Sequence, residues 1–249
     1  MDKKKTLERI KALSELHGAP GFEEDVRNYM KKEMAPYVDE FIVNHMGGFY
    51  GVKKSKKANA KRVMIAAHMD EIGFMITNIT TNGMLQFTNL GGVANDIWQG
   101  QRLQVKNRKG DIIVGIVSNI PKHFRTGNEA VPEIKDLLLD IGASSDKEVR
   151  ELGIQIGDTI VPNTELTQLS EYRYSAKAWD NRYGCVIAIE ILELLCDVEL
   201  DVDLYVGANV QEEVGLRGAK PAAELIQPDV ALVVDCCLLY TSLMARGRR

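Results

Sequence analysis

The sequence predicts an α/β domain built on a mixed sheet and interrupted by a small inserted β domain. Three observations carry this. Apolar runs of strand character, Arg62–Ala67, Leu204–Val210 and Val230–Val234, stand among segments whose apolar residues recur at helical spacing. Each run ends in a residue type that ligates metals: His68, the pair Glu212–Glu213, and Asp235. Between Ile72 and about Asn163 the pattern changes to short strand-like stretches divided by glycine turns. The predicted boundaries are 1–71 and 164–249 for the α/β domain and 72–163 for the insert.

Taken in order, Leu7, Ile10, Leu13 and Leu16 form a stripe on a first helix, closed by Gly18 and Pro20. A second helix starts near Phe22, with Glu23, Glu24 and Asp25 at its positive end and Lys31 and Lys32 near its negative end. Phe41–Val43 and Phe49–Val52 read as strands around Gly47–Gly48. His17 at a helix end and His45 in a turn read as local hydrogen-bonding groups rather than ligands. Arg62–Ala67 is continuously apolar, the pattern of a strand covered on both faces.

Within the insert, Ile72–Ile76, Arg102–Val105 and Ile112–Val117 are strand-like, Ser118–Val131 is a loop containing His123, and Ser145–Leu152 is a short capped helix. The α/β pattern resumes near Ala176. Cys185, Val186, Ile189, Leu192 and Leu195 mark one helix, with Asp180 read most economically as its N-cap. A further helix over about Ala219–Ile226 precedes the last strand.

Composition bounds the function classes. The chain has 249 residues, 45% of them hydrophobic, and a net charge of −4, with no basic stripe interleaved with aromatics, which argues against nucleic acid as a partner. No apolar run reaches membrane-spanning length, and no signal peptide is evident. Cys185, Cys196, Cys236 and Cys237 have neither disulfide-framework nor zinc-ribbon spacing and read as reduced thiols of a cytoplasmic protein.

The chemistry concentrates at the strand ends. Ligands in α/β proteins bind where strands end and loops carry polar groups. In His68-Met-Asp70 the spacing places both side chains on one side of an extended chain, so the carboxylate can fix the orientation of a ligating ring. Glu212 and Glu213 would point to opposite faces of a strand and can share a site only if the backbone turns there, as Gly215 allows. The pair then suits one metal ligand and one general base; otherwise it is a solvated surface pair.

His68-Met-Asp-Glu-Ile-Gly-Phe, Lys177-Ala-Trp-Asp-Asn-Arg-Tyr-Gly, Val210-Gln-Glu-Glu-Val-Gly-Leu-Arg-Gly-Ala and Val233-Val-Asp-Cys together resemble the dinuclear metallo-aminopeptidases of the glutamyl and tetrahedral (TET) aminopeptidase group. The likeness covers residues 1 to about 236. It implies that His68 and Asp235 hold one metal, that Asp180 bridges to a second held by Glu213, that Glu212 is the general base, and that Asp70 orients His68. It implies two divalent ions, zinc with cobalt or manganese as alternatives, and peptide substrates with a free N-terminus, glutamyl or aspartyl ends among them. It further implies a dimerisation role for the insert and a homo-oligomer in which dimers build a dodecamer.

Members of that group continue past the Val-Asp-Cys strand and contribute a further histidine to the second metal. Here Cys237–Arg249 is basic and patternless. The expectation is therefore a C-terminally incomplete catalytic domain of low activity, with either a foreign or a genuine short tail. Two alternatives stay open: a glycoside hydrolase using Glu212 and another carboxylate, and a non-catalytic assembly scaffold.

Overall fold

A computed structural model describes residues 2–118 and 131–236, so His123 and the Cys237–Arg249 tail lie outside the described residues. Helices α1 (Lys3–Glu15) and α2 (Glu24–Met34) precede strands β1 (Glu40–Val43), β2 (Phe49–Lys53) and β3 (Lys61–His68). Then come β4 (Gly73–Ile79), β5 (Leu85–Leu90), β6 (Arg102–Lys106), β7 (Ile112–Val117), β8 (Leu138–Asp140), α3 (Asp146–Glu151) and β9 (Thr159–Pro162). A hairpin of β10 (Thr167–Ser170) and β11 (Arg173–Ser175) leads to α4 (Trp179–Leu194), β12 (Val202–Asn209), α5 (Ala219–Ile226) and β13 (Val230–Val233).

The mixed α/β architecture expected from the sequence is present. Five strands form one sheet in the order β1-β2-β12-β3-β13, with β1, β2 and β12 antiparallel in succession and β12, β3 and β13 parallel. Alternation along the strands gives two cores. Leu204, Val206, Ala208 and Ala67 face α1, α2 and α4, meeting Leu13, Val26, Met30, Ile189 and Leu192. Tyr205, Met64 and Ala66 face the other way, against Ala222 and Ile226 of α5. β3 is thus covered on both faces, which is why it reads as continuously apolar. The edge strand β13 keeps Val230, Leu232 and Val233 exposed.

Residues 73–162 carry a closed barrel, β4-β5-β8-β7-β6-β9. Phe74 anchors its interior, with the Phe87 ring at 5.0 Å and the Trp98 ring at 4.8 Å, both edge-on. Ser145 caps α3 by accepting the Glu148 N–H, as its position before Asp146 predicts. The chain enters the barrel directly after β3 and comes back to the sheet domain through the β10–β11 hairpin and α4.

A buried ion cluster fastens that end. The Lys177 Nζ donates to both oxygens of Glu71, at 2.6 and 2.8 Å, and to the Leu16 carbonyl at 2.8 Å. Arg182, 1% exposed, donates from Nη2 to Glu71 at 3.1 Å, from Nε to the Met69 carbonyl at 2.8 Å and from Nη1 to the Leu13 carbonyl at 2.6 Å. The end of α1, the end of β3 and the start of α4 are thereby joined. Room for the guanidinium depends on Gly18, where a Cβ would lie 2.5 Å from Nη2. Close by, the buried His17 Nε2 sits 2.8 Å from the Thr159 hydroxyl and ties the end of α1 to β9.

Two expectations follow from these contacts. Removing the shared anion leaves two buried cations, Lys177 and Arg182, without it, so Glu71→Gln is expected to lower stability by roughly 3–5 kcal/mol in denaturant titrations; a loss below about 1 kcal/mol would contradict the role given to the cluster. Burial, then the charges of Lys177, Lys106 and Arg182, holds the His17 ring down at about 3 against an ordinary 6.5. Its folded pKa is depressed, so the unfolded chain takes up this proton first. Stability falls as the pH drops from about 6.5 toward 3, at up to ~1.4 kcal/mol per pH unit for this group. His17→Asn should flatten that dependence between pH 7 and 4; equal slopes in both proteins would show that His17 contributes nothing to it.

Candidate metal centre

Register places the strand ends side by side. Asn209 of β12 pairs with His68 of β3, and Val233 of β13 pairs with Ala66, so the loops after the three parallel strands emerge together. The His68 side chain is almost fully buried among them. Its Nδ1 lies 3.1 Å from the Asp70 carbonyl oxygen and 3.4 Å from Asp70 Oδ1. Because that carbonyl only accepts, Nδ1 keeps its hydrogen whenever the ring is neutral, and the Nε2 lone pair is then the one open to a ligand. Nε2 faces three carboxylates: Asp180 Oδ1 at 3.0 Å, Asp235 Oδ1 at 3.8 Å and Glu212 Oε2 at 3.9 Å.

The Glu212–Glu213 turn is built from backbone geometry. Asp70 is fully buried; its Oδ1 accepts the Glu212 N–H and its Oδ2 the Glu213 N–H, both at 3.0 Å. The Gly215 and Gly218 amides close the turn onto the Glu212 and Val210 carbonyls. Gly215 has φ +112°, the role expected of it, but the chain already leaves the strand path at Gln211, with φ +53°, ahead of the pair. Strand alternation therefore no longer applies at Glu212 and Glu213.

Asp180 departs from its expected role. Ala178, with φ +54° and no side-chain cap bond, precedes the first helical residue, and Asp180 and Asn181 have non-helical backbone angles at the start of α4. The peptide between them is cis. The Asp180 carboxylate turns to His68, whose Nε2 lies 3.0 Å from Oδ1, rather than to the helix amides. The neighbouring residues hold the β13 end: Asn181 Nδ2 donates to the Val234 carbonyl at 2.7 Å and the Tyr183 hydroxyl to the Asp235 carbonyl at 2.6 Å.

The structure thus brings His68, Asp70, Asp180, Glu212, Glu213 and Asp235 into one cluster. It does not bring His17 there, and His45 is exposed in the β1–β2 turn. Sequence reasoning missed Glu71, Lys177, Asn181, Arg182 and Tyr183 as parts of the apparatus. For all but Glu71, the one signal was polar residues clustered around Asp180 at the head of an otherwise apolar helix.

Charge crowding sets the electrostatics. Burial first, then the charge of Asp180, pushes Glu213 up to about 7. Burial, with Asp235 and Asp70, also raises Glu212, and burial with Asp180 raises Asp235. Burial works against an imidazolium at His68, yet its hydrogen bonds to Asp180 and Asp70 and their charge carry the ring up to about 10. Carboxylates that raise one another around a single imidazole have too few positive partners, and a divalent cation would relieve them.

The donor set fits such an ion. Ligand atoms of His68, Asp180 and Asp235 lie within 4.8 Å of one another, as do those of His68, Glu212 and Glu213. One imidazole with carboxylates, its far ring nitrogen backed by the Asp70 carboxylate, is a set that zinc and neighbouring first-row metals accept. Asp180 and Glu213 also line a cleft of about 600 Å³, together with Ile97, Trp98 and Arg102 from the barrel segment.

Comparisons with known proteins agree with this arrangement. The chain is 42% identical over 236 residues to the glutamyl aminopeptidase of Lactococcus lactis subsp. cremoris, covering 92% of this chain and 66% of that protein. Among solved structures it is similar to an aminopeptidase from the archaeon Desulfurococcus kamchatkensis, at 39% identity and a TM-score of 0.88, over 94% of this chain and 63% of that one. It is also similar to the Pyrococcus horikoshii TET1 peptidase, described as able to assemble into a tetrahedron or a large octahedral shell, at 32% identity and a TM-score of 0.84, over 93% and 70% of the two chains. The chain thus spans about two thirds of the length of these relatives. The M42 glutamyl aminopeptidase model matches residues 47–249, and the chain belongs to that family.

Proposed function

We propose that the protein acts as a dinuclear metal-dependent aminopeptidase, releasing N-terminal residues, glutamyl and aspartyl ones among them, from peptides. The observation that carries this reading is the convergence of Asp180, Glu212 and Asp235 on His68 Nε2, with Glu213 grouped beside them, where three parallel strands end, next to a cleft large enough for a peptide terminus. His68 and Asp235 would hold one ion, Asp180 would reach both, and Glu213 would hold the second. Zinc is the proposed metal, with cobalt or manganese as replacements. Such ions, when bound, polarise the scissile carbonyl and make water nucleophilic at neutral pH.

The chain's own groups do the rest. Glu212, at the edge of the cluster and only part-buried, would take the water's proton at Oε2 and deliver it to the departing amine. Its raised pKa suits a base that must also act as an acid. Asp70 would keep the His68 ring aligned, and the acidic cluster would attract the substrate's ammonium group. The glycosidase alternative is not favoured, since a pair of carboxylates does not need an imidazole with its own orienting acid. Three free described cysteines support a cytoplasmic location, and no helix among the described residues is long and apolar enough to cross a membrane.

The reading also divides the chain into a peptidase domain, 1–71 with 164–249, and an inserted dimerisation domain, 72–163, whose dimers build a dodecamer. Ile112, Val114 and Ile116 alternate along β7 and are all exposed, an apolar stripe suited to docking a second copy.

Glu212→Gln is expected to retain bound metal and lose roughly 10²–10⁴-fold in turnover of an aminoacyl anilide, whereas Glu213→Gln should lose metal first. Equal metal content and equal turnover in both variants would remove the assignment. A chelator should abolish anilide hydrolysis, and hydrolysis of an aryl glycoside that survives the chelator would restore the glycosidase alternative. Charging the β7 stripe with Val114→Glu and Ile116→Glu should leave a smaller species in light scattering; an unchanged mass would place the interface elsewhere.

A further inference from the structure

Glu23 has no assigned role beyond a negative charge near the start of α2. Its side chain is nonetheless 4% exposed, and it makes no capping hydrogen bond to its own helix. One oxygen, Oε1, accepts two backbone N–H groups instead: Gly21 at 2.7 Å and Gln211 at 3.0 Å. Gln211 directly precedes the Glu212–Glu213 pair and holds φ +53°, a conformation that residues with a Cβ adopt reluctantly and keep only where surrounding contacts enforce it. With Asp70, Glu23 leaves three successive amides each anchored on a buried carboxylate oxygen: Gln211 on Glu23, Glu212 and Glu213 on the two oxygens of Asp70.

We infer that Glu23 is a positioning residue, which fixes the Gln211 reversal and thereby aims the Glu212 and Glu213 carboxylates at the metal centre. Asp70 alone cannot do this. It holds the two amides after the reversal, and the Gly218 and Arg217 amides bond the Val210 and Gln211 carbonyls within the same turn. None of these contacts holds the Gln211 amide itself, which is left free to rotate unless Glu23 accepts it. Glu23 sits on the other side of the reversal and is carried by α2, which packs through Val26 and Met30 into the main core. The two carboxylates together remove that freedom. The inference rests on the metal-centre reading for its consequence, though not for its geometry.

The test uses the 249-residue chain and two variants. Glu23→Ala removes the acceptor; Glu23→Gln keeps a carbonyl oxygen able to occupy the Oε1 position without the charge. Hydrogen exchange by mass spectrometry on metal-free protein reads the amides of 211–213, and a Co²⁺ titration followed by visible absorption reads the centre. In Glu23→Ala, exchange at 211–213 should rise by at least about tenfold while α2 and β3 keep their protection, and Co²⁺ affinity should fall about 10–100-fold, the usual cost of losing an outer-shell partner. Glu23→Gln should stay close to the parent in both. The inference is overturned if Glu23→Ala matches the parent in either measurement, if protection is lost evenly through α2 and β12, or if Glu23→Gln falls as far as Glu23→Ala. Should Glu23→Ala not fold, Glu23→Asp, whose shorter arm withdraws the acceptor from Gln211, takes its place under the same criteria. A parent chain that binds no Co²⁺ would sink the metal reading, while the exchange measurement would still decide the clamp.

Discussion

The buried Asp70 carboxylate is the constraint around which the site is arranged. A fully buried anion is costly unless its lone pairs are met, and here the protein meets them with the Glu212 and Glu213 amides and with the neighbouring His68 ring. Those partners come from the ends of two adjacent parallel strands. Satisfying Asp70 therefore fixes the distance between β3 and the turn after β12, presents the two glutamates past the strand end, and sets which nitrogen of His68 is free. One desolvated charge does the work of three separate positioning devices.

The remaining walls are held in the same manner, by polar side chains on the main-chain carbonyls of neighbouring segments. Arg182 and Lys177 hold the turns after α1 and β3, and Asn181 and Tyr183 hold the segment carrying Asp235. All four belong to one short stretch at the head of α4, which also supplies Asp180. That stretch is where helical geometry is broken. The cost of irregular backbone there is offset by hydrogen bonds to three other elements. The cluster's crowded acids, which raise one another's pKa values, are a further stored cost that a bound proton or a cation relieves.

Much of this was legible in the sequence. Strand runs ending in His68, Glu212–Glu213 and Asp235 are local signals, and parallel register turns local ends into a common edge. The helix over Ala219–Ile226 and the hairpin around Gly47–Gly48 likewise depend on nearby residues alone. What was not legible depends on contacts far apart in the chain. Asp180 looks like an N-cap to any local rule, because only the fold brings His68, 112 positions away in sequence, within 3.0 Å. The reversal at Gln211 carries no glycine signal, since its left-handed angle is enforced from outside. β5, β8 and β9 are too short or too mixed to stand out, and barrel closure rests on pairings such as β4 with β9 that no window spans.

Anomalous X-ray diffraction from crystals soaked in zinc, recorded on both sides of the zinc absorption edge, would examine the centre most directly. A peak in contact with His68 Nε2 and flanked by the carboxylates of Asp180 and Asp235 is expected, with a second toward Glu213. Zinc bound elsewhere on the chain, with no anomalous density at His68 Nε2, would contradict the assignment of this cluster as a metal centre.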